Sequence, residues 1–245
     1  MDEETIKTLP TEVAKRTPSA LCKFASGIYP QNSFNQISNL ESIINNINSI
    51  KSSKTLENLF NKYGSDKSSV HNYHLLYGSI FNYLGECSSI LEIGLGSNNS
   101  SIASNMGPNG KPGASLLAFK DFLPNSIING ADIDSDIKVE SCQIFYIDQT
   151  KPDTFKEIEI NCQGKYDLII DDGLHSPDAN LFTLDFALRN ISDKGFIVIE
   201  DIQLRSLSIW LTVQYLLINS PYYGQLLKTK SAFVFVCSKN HFVLN

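Results

Sequence analysis

Apolar positions along the chain follow two different periods, and the change between them indicates where helices give way to strands. Between residues 37 and 60 the apolar residues recur three or four positions apart. This spacing predicts one amphipathic helix over residues 34–50 and a second that begins near Thr55. Residues 1–33 are interrupted by prolines and by Gly27, which predicts an irregular arm to which we assign no chemistry.

From residue 89 onward, short continuous apolar runs alternate with segments of helical spacing. Such runs are typical of parallel strands that are buried on both faces of a sheet. The expected strands are residues 89–93, 126–132, 142–147, 166–172 and 195–201. The expected helices are residues 114–122, a crossover helix within 176–194, and 204–219. Two further runs, 225–230 and 232–237, are joined by a short turn and predict an antiparallel pair at the sheet edge.

The segment from Lys165 to Asp201 organises the rest of the chain. It contains two apolar strands, the first ending in Asp171 and Asp172 and the second in Glu200 and Asp201. Because the connection is long enough for a crossover helix, the strands are expected to be parallel and their carboxyl ends to meet at one edge. Carboxylates gathered there would repel one another unless a cation, a proton or water separates them. A hard divalent cation is the simplest solution.

A glycine turn follows the first strand of the predicted sheet. Gly94 and Gly96 allow the backbone to turn tightly and to approach a ligand closely. The dinucleotide fingerprint requires a third glycine, but Asn99 stands at that position. Residues 98–113 are rich in Asn, Gly, Ser and Pro and predict a long loop over the turn. Ser115 then lies in the first turn of a helix, where backbone amides can hold an anionic group.

Acidic and amide side chains end the second and third strands. Asp132 follows the second strand, and a carboxylate at that position is the usual partner of a ribose diol, because it accepts two hydroxyl hydrogens at once. Asp148 and Gln149 follow the third strand and suit the amino edge of a purine. A simple turn or cap role for Asp132 stays open at this point.

Composition and charge narrow the function classes. The 245 residues carry a formal net charge of −6, with 42% hydrophobic and 19% charged residues. This balance is typical of a soluble globular protein, and the acidic charge argues against nucleic acid as a partner. The beginning of the chain lacks a signal-peptide pattern and no apolar run reaches the length of a membrane span, so we expect a cytoplasmic protein that does not contact membranes. The five dispersed cysteines indicate reduced thiols.

A polar and aromatic cluster precedes the predicted sheet. It comprises Tyr63-Gly-Ser-Asp-Lys67 followed by His71, Tyr73, His74 and Tyr77. Such a cluster can form a lid or wall of an active site. An aromatic helix that packs on the sheet with its polar ends in solvent explains the same pattern.

Together these motifs resemble the class I S-adenosylmethionine-dependent methyltransferases, and more narrowly the metal-dependent sugar O-methyltransferases of macrolide and rhamnosyl tailoring. Four short passages carry the narrower resemblance: 63–67 with His71 and Tyr73, 113–116, 170–175 and 199–202. The resemblance implies an α/β fold with a Rossmann-like, doubly wound, seven-stranded, mostly parallel sheet, a C-terminal antiparallel strand pair and an N-terminal helical extension. It also implies that S-adenosylmethionine and Mg²⁺, or another hard divalent cation, are the cofactors.

The resemblance assigns roles to individual residues. Asp172, Glu200 and Asp201 are expected to bind the metal and His175 to act as the general base. The expected cofactor contacts are Tyr63, Glu92, Gly94, Gly96, Ser115, Asp132, Asp148, Gln149 and Asp171. We expect residues 1–84 to form an arm and helices that cover part of the active site, and residues 85–245 to form the methyltransferase domain. The auxiliary domain of some relatives should be absent.

Several alternatives remain open from the sequence. His175 could be a structural histidine, and Glu200 with Asp201 could cap the next helix. Leu174 replaces a residue that is often small in this family, so the acceptor is uncertain: a sugar hydroxyl is favoured, and a phosphorylated or nitrogen-containing small molecule is the rival. A homo-oligomer is possible. An NAD-dependent dehydrogenase and a non-catalytic methyltransferase-like module fit the motifs less well.

Overall fold

The computed structural model describes residues 37–102, 105–161 and 164–241, together with residues 20, 23 and 24. The prediction for residues 1–33 therefore lies almost entirely outside the described residues. The helices are α1 Leu40–Ile43, α2 Ile47–Tyr63, α3 Tyr73–Leu84, α4 Ala114–Phe122, α5 Phe155–Asn161, α6 Pro177–Asn190 and α7 Leu207–Leu217. The strands are β1 Ser89–Ile93, β2 Ile127–Asp132, β3 Gln143–Tyr146, β4 Tyr166–Asp171, β5 Ile191–Ile202, β6 Tyr223–Lys228 and β7 Phe233–Ser238.

These strands form a seven-stranded sheet in the order β3-β2-β1-β4-β5-β7-β6. The pairings from β3 to β5 are parallel, and β7 pairs antiparallel with both β5 and β6. The predicted fold class is confirmed, including the antiparallel pair at the C-terminus. Because the order reverses between β1 and β4, the carboxyl ends of these two strands open a crevice at the edge of the sheet.

Helices cover both faces of the sheet. On one face α2, α3 and α4 pack against the strands, and on the other α5, α6 and α7 do so. Successive residues of a strand point to opposite faces, so in β4 Leu168 and Ile170 lie in the first layer of the core and Ile169 in the second. This alternation continues to the strand ends and decides where the polar residues there can point.

The N-terminal helices differ from the predicted ones. The helix predicted over 34–50 is interrupted at residues 44–46, and α2 then runs without a break through the predicted boundary at Thr55. Asn46 causes the interruption, because its side chain accepts hydrogen bonds from the amides of Asn48 and Ser49 and so begins a new helix. The helix α5 was not predicted from the sequence.

Two further observations bear on the class of protein. Among the described residues, no helix is long and apolar enough to cross a lipid bilayer. Cys87, Cys142 and Cys237 are free thiols, whereas Cys22 and Cys162 lie outside the described residues.

Candidate active site at the carboxyl edge of the sheet

A cavity of about 540 Å³ opens at the carboxyl ends of β1 and β4, where the strand order reverses. Its walls come from the strand ends, from the loop after β1 and from the segment between α2 and α3. Of the residues predicted to form the site, those in the wall are Gly94, Gly96, Ser115, Asp132, Asp148, Gln149, Asp172, His175, Glu200 and Asp201. The segment before α3 contributes Ser65, Asp66, Lys67 and His71, and the first residue of α3 contributes Tyr73.

At both glycines of the turn, other parts of the protein occupy the position that a Cβ atom would take. Gly94 and Gly96 have φ of +88° and +76°, which a residue with a side chain rarely adopts. A Cβ atom at Gly94 would lie closer than 3.0 Å to the backbone of Asp172 and Gly173, and one at Gly96 would collide with Met106. Gly94 is therefore required for β1 and β4 to end side by side.

Asp132 is held at the end of β2 by backbone amides. Its Oδ2 accepts a hydrogen bond from Leu95 N at 2.7 Å, and its Oδ1 accepts one from Asp134 N at 2.9 Å. Each carboxylate oxygen has a second lone pair for a ligand, and the side chain lies in the cavity wall. Asp148 is fixed in a similar way, because its Oδ1 accepts from the amide of Thr150 at 3.0 Å.

Gln149 and Asp171 form a buried polar network beneath the cavity. The Gln149 amide donates to Asp171 Oδ1 and Thr183 Oγ1, both at 2.8 Å, while its Oε1 accepts from Leu174 N at 2.8 Å. Asp171 is fully buried, points toward α6 and also accepts from Asn180. Burial raises the pKa of Asp171, and these hydrogen bonds oppose the rise. Asp171 is absent from the cavity wall, and the Gln149 amide is already engaged within the protein.

Asp172, His175 and Asp201 converge on one point of the cavity. Each offers a ligand atom, and these atoms lie within 4.8 Å of one another. His175 Nε2 is 3.9 Å from Asp172 Oδ1 and 3.8 Å from Asp201 Oδ2. His175 and Asp201 have φ of +54° and +52°, a conformation that costs about 1–2 kcal/mol for a residue other than glycine. Strained backbone of this kind clusters at functional sites.

The left-handed conformation of Asp201 belongs to an irregularity in β5. The register of β5 against β7 shifts between Ile199 and Ile202, as it does at a β-bulge, which re-aims side chains near the end of a strand. Regular strand alternation would send Glu200 and Asp201 to opposite faces of the sheet. At this irregularity both instead contact α3, because Glu200 binds the Tyr77 hydroxyl and Asp201 binds the Tyr73 hydroxyl, and Asp201 also lies beside His175.

Glu200 and Lys67 form the centre of a buried charge network. The Lys67 ammonium, 2% exposed, lies 2.6 Å from Asp172 Oδ2 and 3.2 Å from Glu92 Oε1, and it also donates to Glu200. Glu200 is fully buried and accepts a second hydrogen bond from the Tyr77 hydroxyl. Burial lowers the pKa of Lys67, but the three carboxylates raise it more, so the ammonium stays charged. Burial raises the pKa of Glu200, and Lys67 opposes this.

Glu92 connects this network to the start of α4. Its Oε2 accepts a hydrogen bond from Ser115 Oγ at 2.6 Å, and the side chain is fully buried. Burial raises the pKa of Glu92, while the charge of Lys67 lowers it. Glu92 on β1 and Glu200 on β5 therefore face one cation from either side of β4, which lies between these strands.

The imidazole of His71 is a second cationic side chain in the cavity wall. Its Nδ1 lies 3.0 Å from Asp201 Oδ1, and its Nε2 lies 3.7 Å from Asp66. Burial lowers the pKa of His71, but the hydrogen bonds and charges of Asp201 and Asp66 raise it to about 10. For Asp201, burial raises the pKa, but His71 and Tyr73 lower it to about 2.

Tyr63 lies away from the cavity wall. Its hydroxyl donates to Asp121 Oδ2 at 2.6 Å, and Lys62 binds the same oxygen at 2.7 Å. Because Gly64 ends α2 in a left-handed conformation, the chain turns after Tyr63 and it is residues 65–73 that reach the cavity.

Sequence reasoning missed the roles of Lys67, Tyr73 and Tyr77. The role of Lys67 could have been inferred from the number of carboxylates that point to one face of the sheet. Strand alternation places Glu92, Asp172 and Glu200 on the same side of the sheet, and such a group requires a buried cation. Lys67 belongs to the one polar cluster that the sequence placed near them.

Comparisons with known proteins agree with this fold. No protein-family profile matches the chain. A curated relative, the 8-demethyl-8-α-L-rhamnosyl tetracenomycin-C 2′-O-methyltransferase of Streptomyces olivaceus, is 24% identical over 145 residues, which are 58% of this chain and 36% of the relative. The chain thus spans about a third of that enzyme's length.

Two solved structures of the MycE methyltransferase from the mycinamycin biosynthetic pathway are also similar. The complex with Mg and S-adenosylhomocysteine has a TM-score of 0.60 at 22% identity and covers 75% of this chain and 54% of that one. The complex that also contains mycinamycin VI has a TM-score of 0.51 at 26% identity and covers 60% of this chain and 39% of that one. The predicted resemblance to the class I methyltransferases and their metal-dependent O-methylating members is confirmed.

Proposed function

We propose that this chain, which has the class I methyltransferase fold, is a divalent-metal-dependent O-methyltransferase. It transfers a methyl group from S-adenosylmethionine to a hydroxyl of a sugar or glycan precursor. The observation that carries the proposal is the convergence of Asp172, His175 and Asp201 in the same cavity as the glycine turn and Asp132.

The cofactor would lie along the carboxyl ends of β1, β2 and β3. There the glycine turn brings backbone close to the cavity, and Asp132 offers its free lone pairs to a ribose diol. Asp148 is placed one strand further for the purine. A cavity of about 540 Å³ lies within the usual range of about 300–1,000 Å³ for small-molecule sites. Three of the predicted cofactor contacts, Tyr63, Glu92 and Asp171, have no role in this proposal, because none of them belongs to the cavity wall. Glu92 is fully buried and binds Lys67 and Ser115 instead.

The residues of the cluster fit a divalent cation. Asp172 and Asp201 each direct one carboxylate oxygen toward the same point, and their other oxygens are bound by protein groups. Carboxylate oxygens are the preferred ligands of Mg²⁺, which also retains waters and substrate oxygens. Glu200 would join the set only by exchanging its contacts with Lys67 and Tyr77. A cation bound there would lower the pKa of an acceptor hydroxyl.

His175 is placed to receive the proton that the acceptor hydroxyl loses. Its Nε2 faces the two carboxylates in the cavity, whereas its Nδ1 is buried and has no hydrogen-bond partner among the described residues. An imidazole exchanges protons near neutral pH. Bound S-adenosylmethionine would supply the methyl group to the hydroxyl oxygen and would leave as a neutral thioether, while Nε2 would receive the hydroxyl proton. Cavity walls that bring the two reactants into line would supply much of the remaining acceleration.

Two observations support a sugar as the acceptor. The similar proteins include one named for methylation of a rhamnosyl group and one crystallised with mycinamycin VI. The cavity wall also carries an excess of acidic groups, because its six carboxylates outnumber the cations Lys67, His71 and Lys111; the carboxylates belong to Asp66, Asp132, Asp148, Asp172, Glu200 and Asp201. A neutral polyhydroxyl compound is compatible with such a wall, whereas a phosphorylated acceptor would be repelled unless cations intervened.

Calorimetric binding of S-adenosylhomocysteine to the purified protein tests the cofactor assignment. The titration is repeated after chelation of divalent metals, and NAD is titrated in parallel. We expect S-adenosylhomocysteine to bind and NAD not to bind. Absence of S-adenosylhomocysteine binding under both metal conditions would contradict the proposal. Methylation assays on neutral sugars, phosphorylated sugars and amines, with and without Mg²⁺, then test the acceptor and the metal.

Substitution of His175 tests the proposed base. We expect His175→Ala to abolish turnover and to change the affinity for S-adenosylhomocysteine by no more than a few-fold. His175→Asn is the control for the backbone, because Asn tolerates the left-handed conformation at this position better than Ala does. A normal rate in either variant would remove His175 from the mechanism.

A further inference from the structure

The two converging carboxylates are held in the same way. Each has an outer oxygen that binds a side chain from the segment before and at the start of α3, and an inner oxygen that faces His175. For Asp172 the outer oxygen is Oδ2, 2.6 Å from Lys67 Nζ. For Asp201 it is Oδ1, which accepts from the Tyr73 hydroxyl at 2.7 Å. The inner oxygens are those 3.9 Å and 3.8 Å from His175 Nε2.

Tyr73 makes two hydrogen bonds to the same residue. Its hydroxyl donates to the carboxylate of Asp201 and accepts from the backbone amide of Asp201 at 2.9 Å. Asp201 is also the residue whose φ of +52° departs from the strand. The phenol therefore binds both the strained backbone and the side chain of Asp201. His71 Nδ1, 3.0 Å from the same Oδ1, is a second contact of that side chain, and it is retained when only the Tyr73 hydroxyl is removed.

Tyr73 is itself held rigidly. Its side chain is 1% exposed, its ring stacks on His71 with centroids 5.2 Å apart, and its amide donates to Lys67 O at 2.7 Å. Asn72, in a left-handed conformation just before α3, binds Lys230 N at 3.1 Å and Glu41 at 3.0 Å. Tyr73 is thus anchored by its own loop and, through its neighbour Asn72, by the turn between β6 and β7 and by α1.

We propose that Tyr73 is a positioning residue that orients Asp201 for a divalent cation held between Asp172 and Asp201. The inference rests on the proposed function, because it assumes that these two carboxylates hold the cation. Outer groups that orient a ligand typically contribute 10–100-fold to metal affinity. Lys67 binds Asp172 in the parallel way, but replacing it would also change the charge at the site.

Tyr73→Phe isolates the orienting effect. The substitution removes one hydroxyl, retains the buried ring and leaves every charge in place. Tyr222→Phe is a matched control, because the Tyr222 hydroxyl donates to Leu188 O at 2.7 Å and lies outside the cavity wall. Tyr73→Phe loses two hydrogen bonds, both to Asp201, whereas Tyr222→Phe loses one, to a backbone carbonyl away from the proposed metal ligands.

The experiment measures Mn²⁺ binding by electron paramagnetic resonance of the free ion, for the unsubstituted chain and both variants, with calorimetry of S-adenosylhomocysteine in parallel. We expect Tyr73→Phe to weaken Mn²⁺ binding about 10-fold and Tyr222→Phe to bind Mn²⁺ normally. In both variants the affinity for S-adenosylhomocysteine should change by less than about two-fold. Unchanged Mn²⁺ affinity in Tyr73→Phe would overturn the inference, as would an equal loss in Tyr222→Phe. If the unsubstituted chain itself binds no Mn²⁺, the proposed function fails first.

Discussion

Gly94 provides a sharp test of how the site is built. It is the first residue after β1, its φ is +88°, and an added Cβ would lie closer than 3.0 Å to the backbone of Asp172 and Gly173. Gly94→Ala therefore has two costs. The left-handed conformation costs about 1–2 kcal/mol for a residue with a side chain, and overpacking against atoms that cannot rotate away adds about 1–3 kcal/mol.

Gly107→Ala separates these two costs. Gly107 has φ of +72°, and an added Cβ would have no atom of the described residues within 4 Å. This control therefore carries the conformational cost alone. We expect the free energy of unfolding of Gly94→Ala to be about 2 kcal/mol lower than that of Gly107→Ala. For a domain of this size, this difference lowers the unfolding temperature by roughly 4–8 °C. Because Asp172 must move in Gly94→Ala, Mn²⁺ affinity should also fall in this variant.

Thermal unfolding followed by circular dichroism, with Mn²⁺ binding measured on the folded proteins, checks this expectation. The reasoning would be refuted if the two variants unfolded within about 1 °C of each other. It would also be refuted if Gly94→Ala were the less stable but bound Mn²⁺ as tightly as the unsubstituted chain, because Asp172 would then not depend on the close approach of Gly94.

Two further predictions concern the core. Burial raises the pKa of both Cys87 and Cys237 to about 12. Because only the thiolate reacts, both thiols should resist alkylation at pH 8 and react once the protein is unfolded. Peptide mapping by mass spectrometry after labelling checks this, and labelling of either thiol in the native protein would contradict it. Phe119 is fully buried and makes edge contacts with the rings of Phe60, Tyr77 and Phe81, so Phe119→Ala should lower the free energy of unfolding by about 3–5 kcal/mol in urea titrations; a loss below about 1 kcal/mol would show that this layer is not tightly packed.

The alternation of apolar runs and helical segments was sufficient to predict the parallel part of the sheet. Patterns of this kind are local, because a strand buried on both faces must be apolar throughout and a crossover helix must fit between parallel strands. The βαβ unit of β4, α6 and β5 followed from these rules, as did the antiparallel pair of β6 and β7. The break before α2 could not be predicted in this way. The apolar spacing continues through it, whereas the Asn46 side chain caps a new helix there and so interrupts the one that the spacing predicts.

The convergence of carboxylates at the sheet edge also followed from the sequence, because parallel strands end together. The direction in which each carboxylate points could not be derived from the ends of the strands alone. Strand alternation sends Asp171 toward α6 and Asp172 toward α3, so adjacent aspartates lie in different networks. The irregularity in β5 then allows Asp201, which regular alternation would place on the opposite face from Glu200, to contact Tyr73 and His175.

Only the tertiary structure could decide which groups hold these acids. Lys67 lies 105 residues before Asp172, and Tyr73 lies 128 residues before Asp201. No periodicity connects positions so far apart, and the sequence placed the cluster of residues 63–77 near the site without assigning Lys67 or Tyr73 a partner. The contacts exist because α2 and α3 pack on the face toward which Glu92, Asp172 and Glu200 point. Local pattern determined the strands and their acidic ends, and long-range packing determined the geometry of the site.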